Sequence, residues 1–431
     1  MKKLGMLALL ALLFQSVLCQ ARLTDEQKKQ GIAELGKALK ARYVFLDAAE
    51  KAAGFLAKRL ADGAYGTSDP RAFGALVTAD LQAVTRDKHL RFGYSEPQPP
   101  AAERTPEQQK EQREARQASM RQANYGFARA EILAGNVGYL DVRRFMAPDA
   151  AVDTLAGAMA FLTNADALIV DVRNCTGGSA FMMPFFAAYF FDRPTSLFDM
   201  EFRGDNFTER YWTLAWVPGK RLAGMPMYIL TSARTFSGAE GFAYRFQVLK
   251  RAVIVGETTG GGANAGGVLD VPPCFAVYMP MGRPVDQETG SNWEGPGVVP
   301  DIQTAARDAQ GTAHLHALKL LRAKAATPAE RNRLDWALER AGAKPAFLSE
   351  RDLQRLAGAY GNARVWLEGG QLRYQRETEQ TVLLTPLNGT VFATELTDPL
   401  RLEFVRDNKG KVVRLLVMDG EFAREELPRR R

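Results

Sequence analysis

The 431-residue chain is poor in the side chains that hold metal ions or staple a fold: it has three histidines, His89, His314 and His316, and three cysteines, Cys19, Cys175 and Cys274. No histidine pair has the spacing of a zinc site and the cysteines are too few, so neither a metal nor another cofactor is expected. His314 and His316 stand two apart in a helical segment and cannot share a face, which reads as surface or half-buried histidines. No basic patch interleaves with aromatics; the formal charge of +7 is spread along the chain, and nucleic acid is not an expected partner. The glycine turn NCTGGS lacks the lysine and hydroxyl of a phosphate loop. Apart from the N-terminus, no apolar run is long enough to span a bilayer.

That N-terminus, MKKLGMLALLALLFQSVLCQA, has a short basic start, an apolar stretch from Leu4 to Phe14 and small or neutral residues near Val17, Cys19 and Ala21. It reads as a cleavable secretory signal over residues 1–21, which implies a periplasmic or secreted protein. Leu18 is bulky for a lipid-attachment site at Cys19, so simple cleavage is preferred. An oxidising compartment would permit a Cys175–Cys274 disulfide, but spacing alone cannot place the two Cα atoms.

The length allows two or three domains. Residues 22–95 carry helical periodicity and end in a β pattern after DKHL. Residues 96–123 are rich in proline, glutamine and charge, a linker or an exposed helix. From 124 to 325, continuous apolar strands such as ALIVDVR and MYILTS alternate with helices, the rhythm of a mostly parallel sheet covered by helices. A helical connector over 326–345 leads to short alternating runs over 346–431, a small antiparallel barrel or sandwich.

Four segments draw attention. In TSARTFSGAE a buried strand meets a helix at Ser237. Ser237 and Glu240 fit a capping box, so a structural cap is the commoner reading. The same helix start offers free N–H groups and a favourable dipole for an oxyanion. NCTGGS follows a parallel strand and leaves backbone N–H groups open, or is only a tight turn. His89 is the best general-base candidate among the three histidines, although a lone histidine is more often structural. Glu294 lies in the Gly/Pro-rich loop SNWEGPGVVPD, either functional or merely solvated.

Together, GNVGYLDVRRF, ALIVDVRNCTGG, LTSARTFSGAEGFAYRFQVLKRAVIVGETTGGGA and WEGPGVVPDI resemble the core of the tail-specific (C-terminal processing) serine proteases. They are most similar to the branch named after interphotoreceptor retinoid-binding protein, over residues 24 to about 310. The resemblance implies an α/β core of crotonase/ClpP-like type with a small helical N-terminal domain; the C-terminal antiparallel β-domain lies outside it. It implies Ser237 as nucleophile and the N–H groups of Gly238 and Gly177, the latter with Gly178 beside it, as oxyanion donors. The lysine that many bacterial members use is replaced by Gly261 or Gly262, which excludes the simple Ser–Lys dyad. Tricorn-type relatives use a histidine and a glutamate instead. His89 matches the first, and Glu294, 57 residues after Ser237, the second. Lys88 stands where tricorn has a serine, leaving open whether Lys88 or Asp87 assists His89. The PDZ domain of many members is missing, with the charged linker in roughly its place. The implied function is a serine-type peptidase acting on peptides or proteins through an acyl-serine, with a homo-oligomer left open. The alternative is a non-catalytic binder of apolar ligands or peptides on the same fold.

Overall fold

The computed structural model describes residues 22–95, 105–203, 207–343, 347–396, 400–419 and 423–430. The signal-like segment and Cys19 lie outside the described residues, as does the 96–104 part of the linker. Among the described residues no helix is long and apolar enough to cross a membrane. The chain divides into two compact units, one running to 131 and including 139–164 and 170–309, the other holding 132–138, 165–169 and 310 onward.

In the first unit, three helices come first: α1 (Asp25–Arg42), α2 (Leu46–Ala61) and α3 (Pro70–Thr85). Two of them start at caps legible in the sequence. Thr24 and Gln27 close a capping box on α1, and Asp69 caps α3 with Pro70 in its first turn. Their apolar stripes, with Leu35, Leu39, Leu56, Phe73 and Val77 fully buried, meet Phe275 and Val277 in one core. Gly31 makes that approach possible, because a Cβ there would stand 2.9 Å from the Phe275 ring. After α3 the chain turns through His89 into β1 (Arg91–Tyr94), which pairs antiparallel with β10 (Phe275–Val285). That sheet also holds β9 (Ala265–Val271) and the hairpin β5 (Ser196–Phe202) and β6 (Phe207–Trp212).

The second sheet has the order β11 (Ile302–Gln303), β8 (Val253–Gly256), β7 (Met227–Thr231), β4 (Ala167–Asp171), β3 (Val137–Val142) and β2 (Phe127–Leu133). β7 runs parallel to β8, and β8 to β11. Every residue of β4 and β7 is buried, as the continuous runs ALIVD and MYILT require of central strands. The charged stretch before β2 contains helix α4 (Pro106–Gln122), which has a Thr105–Gln108 capping box and no buried residue. It is an exposed helix, one of the two forms its composition allowed.

The second unit ends in an eight-stranded antiparallel meander, from β12 (Gly358–Tyr360) to β19 (Ala423–Pro428). Its ends meet: Gly361 N–H donates to the Pro428 carbonyl at 2.9 Å and Arg430 N–H to the Ala359 carbonyl at 2.8 Å. Closing the sheet removes its edges and makes it a barrel filled by Tyr360, Leu372, Phe392, Phe404 and Leu415. His314 belongs to this unit. Its Nε2 lies 2.8 Å from the Ala134 carbonyl, a satisfied structural histidine.

Candidate active site

Ser237 stands between β7 and α5 (Gly238–Val248) and is held from both sides. The exit from β7 is pinned to the neighbouring turn. Ser232 Oγ donates to the Arg173 carbonyl, Thr235 Oγ1 to the Val172 carbonyl, and Phe236 N–H to the Cys175 carbonyl at 3.1 Å. Ser237 itself has φ 56° and ψ −125°, a backbone region that L-residues rarely occupy. Such strain costs about 1–3 kcal/mol and persists only where the surroundings impose it. The Glu240 carboxylate accepts from the Ser237 N–H at 2.7 Å, the half of the capping box that the SGAE spacing points to.

Glu240 does more than cap. It is fully buried and also accepts from Thr259 Oγ1 at 2.5 Å, Gly261 N–H at 2.6 Å and Gly262 N–H at 2.9 Å. Burial raises its pKa above the ordinary carboxylate value, against the lowering effect of those donors. One carboxylate thus ties the Ser237 backbone to the loop after β8. Glu240→Ala would leave four donors buried without their acceptor, and is expected to destabilise the protein by about 3 kcal/mol. Urea denaturation would measure it; a change below about 1 kcal/mol would mean that the loop does not depend on Glu240.

Beside Ser237 lies the 175–179 turn. Phe145 N–H donates to the Gly177 carbonyl and Ser179 N–H to the Phe145 carbonyl, so this short parallel bridge leaves the Gly178 N–H unused. A Cβ on Gly177 would stand 2.6 Å from the Gly238 nitrogen, and one on Gly178 would stand 2.0 Å from the Phe145 oxygen. Both positions also have positive φ, so both need glycine. Gly178 borders the cleft. Gly177 lies beneath it, with its N–H toward the sulfur of Cys175. Cys175 is a free, fully buried thiol with its pKa pushed up to about 12 by burial, so the Cys175–Cys274 disulfide is not formed. The sulfur sits in the turn under β4 while Cys274 precedes β10 in the other sheet.

His89 and Ser237 line the same cleft, of about 1390 Å³. The imidazole is 8% exposed, with its ring centroid 4.5 Å from that of Phe236 and 5.8 Å from that of Tyr278. Behind it lie two carboxylates. A histidine nitrogen and one oxygen each of Asp87 and Glu294 fall within 4.8 Å of one another. Asp87 Oδ1 accepts the His89 backbone N–H at 2.9 Å and lies 3.9 Å from Nδ1. Its Oδ2 accepts from Tyr43 Oη at 3.1 Å and Asn264 Nδ2 at 3.0 Å. Glu294 Oε2 accepts from the N–H groups of Ala263 and Asn264 at 2.5 and 3.2 Å. Among the described residues, both ring nitrogens and Glu294 Oε1 lack hydrogen-bond partners. The trio has the donor types of a cation site, but both Asp87 oxygens and Glu294 Oε2 are already engaged.

Burial, then the nearby Asp87 charge, pushes Glu294 up to about 7. Burial lowers the His89 pKa; Asp87 opposes that and Arg91 adds to it. Lys88 points elsewhere, its Nζ donating to the Gly260 carbonyl at 2.5 Å. The glycines in the lysine position are explained by space. A Cβ on Gly262 would meet the Phe236 ring at 2.2 Å and His89 Cε1 at 2.9 Å, and one on Gly261 would meet the Gly295 carbonyl at 2.3 Å.

The structure therefore brings Ser237 and His89 to one cleft, with Glu294 behind the histidine, and sets Gly178 on the cleft wall, whereas neither Gly177 nor Gly238 is among the residues that line it. Sequence reading gave Asp87 a minor part and left out Asn264 and Tyr43. Only the turn DKHL held a signal for the first, and nothing local marks the other two.

Residues 136–304 match the model of peptidase family S41, and residues 24–125 match that of the N-terminal domain of peptidase S41 in eukaryotic IRBP. Among solved structures, the chain is similar to a photosystem II D1 C-terminal processing protease, at 20% identity and a TM-score of 0.35 over 42% of this chain. It spans 48% of that protease's length. A lipoprotein from Streptococcus agalactiae is similar at 16% identity and a TM-score of 0.43, covering 67% of this chain and 94% of that one. The tricorn protease is similar at 13% identity and a TM-score of 0.43, covering 74% and 37%.

Proposed function

The chain belongs to peptidase family S41, and on that premise we propose that it is a serine-type peptidase whose nucleophile is activated by histidine and glutamate instead of lysine. The observation that carries the reading is the shared cleft of Ser237 and His89, where a side chain at Gly262 has no room. The α/β core is then of the crotonase/ClpP-like type, and the N-terminal segment directs the protein to a periplasmic or secreted location.

In the mechanism, Ser237 Oγ attacks the scissile carbonyl as His89 takes its proton. The carbonyl oxygen gains negative charge and is met by the N–H groups of Gly238 and Gly178, the first at a helix start where the dipole also favours an anion. The C–N bond breaks, and His89 passes its proton to the leaving amine. Water, deprotonated by His89, then hydrolyses the ester and releases Ser237. Glu294 and Asp87 stabilise the imidazolium that forms twice in each cycle. The ring nitrogens are unpaired without substrate, as is common where catalytic hydrogen bonds tighten only on binding. A fluorophosphonate probe tests the proposal: it should label the chain at Ser237. Absence of labelling in folded protein, together with no peptide hydrolysis, would overturn it.

The pH profile follows from the carboxylates. Lowering the pH through about 7 protonates Glu294 and removes a negative charge facing His89. His89, with its pKa below the ordinary histidine value, protonates later. So kcat/KM is expected to fall on the acid side with a midpoint near 7. In Glu294→Gln that limb should move below the ordinary histidine value, with a plateau lowered about tenfold. A limb that stays in place would remove Glu294 from the relay.

A further inference from the structure

The cleft that holds Ser237 has an unusual charge balance. Among the described residues, its wall carries Lys88, Arg91, Arg116, Arg144 and Arg234, and no aspartate or glutamate. The chain as a whole has 56 basic and 49 acidic residues, so an average wall would carry nearly as many acids as bases. All five cations are exposed, and among the described residues none is paired with a carboxylate. They come from four separate elements and surround the chemistry. Lys88 and Arg91 flank His89, and Arg116 projects from α4. Arg144 precedes Phe145, which lines the Gly177–Ser179 turn, and Arg234 is three residues before Ser237. The carboxylates Asp87, Glu240 and Glu294 lie behind the wall and are engaged with N–H and O–H donors.

Resting on the peptidase reading above, we propose that this cleft selects anionic peptide segments, through carboxylates placed close to the scissile bond. Cations of one sign without carboxylate partners, gathered on a concave wall, focus the field on whatever enters. An incoming carboxylate would gain charge-assisted hydrogen bonds from guanidinium groups that have no competing partner. A basic segment would meet five like charges. Two sources supply the same chemistry: Asp and Glu side chains, and the C-terminal carboxylate of a peptide.

The test uses the full chain with Ser237→Ala, so that binding is read without turnover. Four acetylated ten-residue peptides are titrated by calorimetry: one with three glutamates, its glutamine counterpart, and each as free acid and as C-terminal amide. The glutamate peptide is expected to bind about tenfold more tightly than its glutamine counterpart at low ionic strength. The difference should shrink to about threefold or less at 0.5 M salt, where screening acts within a few ångströms. A larger loss on amidation than on Glu→Gln exchange would assign the effect to the C-terminus. Equal binding of all four would overturn the proposal. In Arg144→Glu/Arg234→Glu, both exposed positions, the preference should vanish while the melting temperature holds. The two readings fail separately. Probe labelling of the wild type with no charge preference leaves the peptidase and removes the selectivity; charge-selective binding with no labelling does the reverse.

Discussion

Ser237→Ala is expected to reduce kcat/KM for a peptide substrate by about 10⁴-fold or more and to abolish fluorophosphonate labelling. The size follows from what the substitution removes and what it keeps. It removes the oxygen proposed to form the acyl bond. It keeps the positive φ, because alanine occupies that conformation at a similar cost, and it keeps the Ser237 N–H on Glu240. The N–H groups of Gly178 and Gly238 also stay where they are. The variant should therefore fold, bind substrate and polarise the carbonyl, yet lack a nucleophile. Residual rates of this kind of knockout come from positioning and oxyanion stabilisation alone. Undiminished hydrolysis by Ser237→Ala would mean that another group attacks, and the candidate site would fall with it. Lost hydrolysis with an unchanged melting temperature and retained peptide binding is the expected outcome.

The fold was legible where local patterns decide it. The runs ALIVD and MYILT became fully buried central strands, and the C-terminal alternation became an antiparallel barrel. The hairpin β5–β6 went unread, although SLFDMEF and FTERYW are separated in the sequence by Gly204-Asp205, a hairpin turn signal. The helix read in AFMMPFFAAYFF is short, Met182–Ala187 followed by a 3₁₀ turn, and buried on every side. A stretch that is apolar all round has no periodicity from which to judge its length. At the site, Ser237, His89 and Glu294 could be named as candidates because each sits in a local motif. Tyr43 and Asn264 could not, because they reach Asp87 only through the packing of α1 and of the loop before β9. The choice between Gly177 and Gly178 was likewise beyond the sequence. It depends on which N–H the Phe145 bridge uses and which one faces the buried sulfur of Cys175.

The second large effect concerns the base. His89→Ala is expected to lower kcat/KM by about 10³-fold or more at neutral pH, since Ser237 would have no proton acceptor in the cleft. Lys88 cannot take over while its Nζ is held by the Gly260 carbonyl. Asp87 and Glu294 stand behind the ring, with three of their four oxygens engaged. The same geometry predicts why lysine cannot simply be put back. In Gly262→Lys the new Cβ would have to displace the Phe236 ring and crowd His89, costing about 1–3 kcal/mol. It should also lower activity by moving the native base. Removing the imidazole first relieves only the second of those two clashes, so His89→Ala/Gly262→Lys is expected to stay as inactive as His89→Ala. Recovery of activity in the double variant, with a pH profile shifted toward lysine, would show that the Phe236 ring yields and that the cleft accepts either base. Continued inactivity, with His89→Ala still binding substrate, is what a site built around histidine requires.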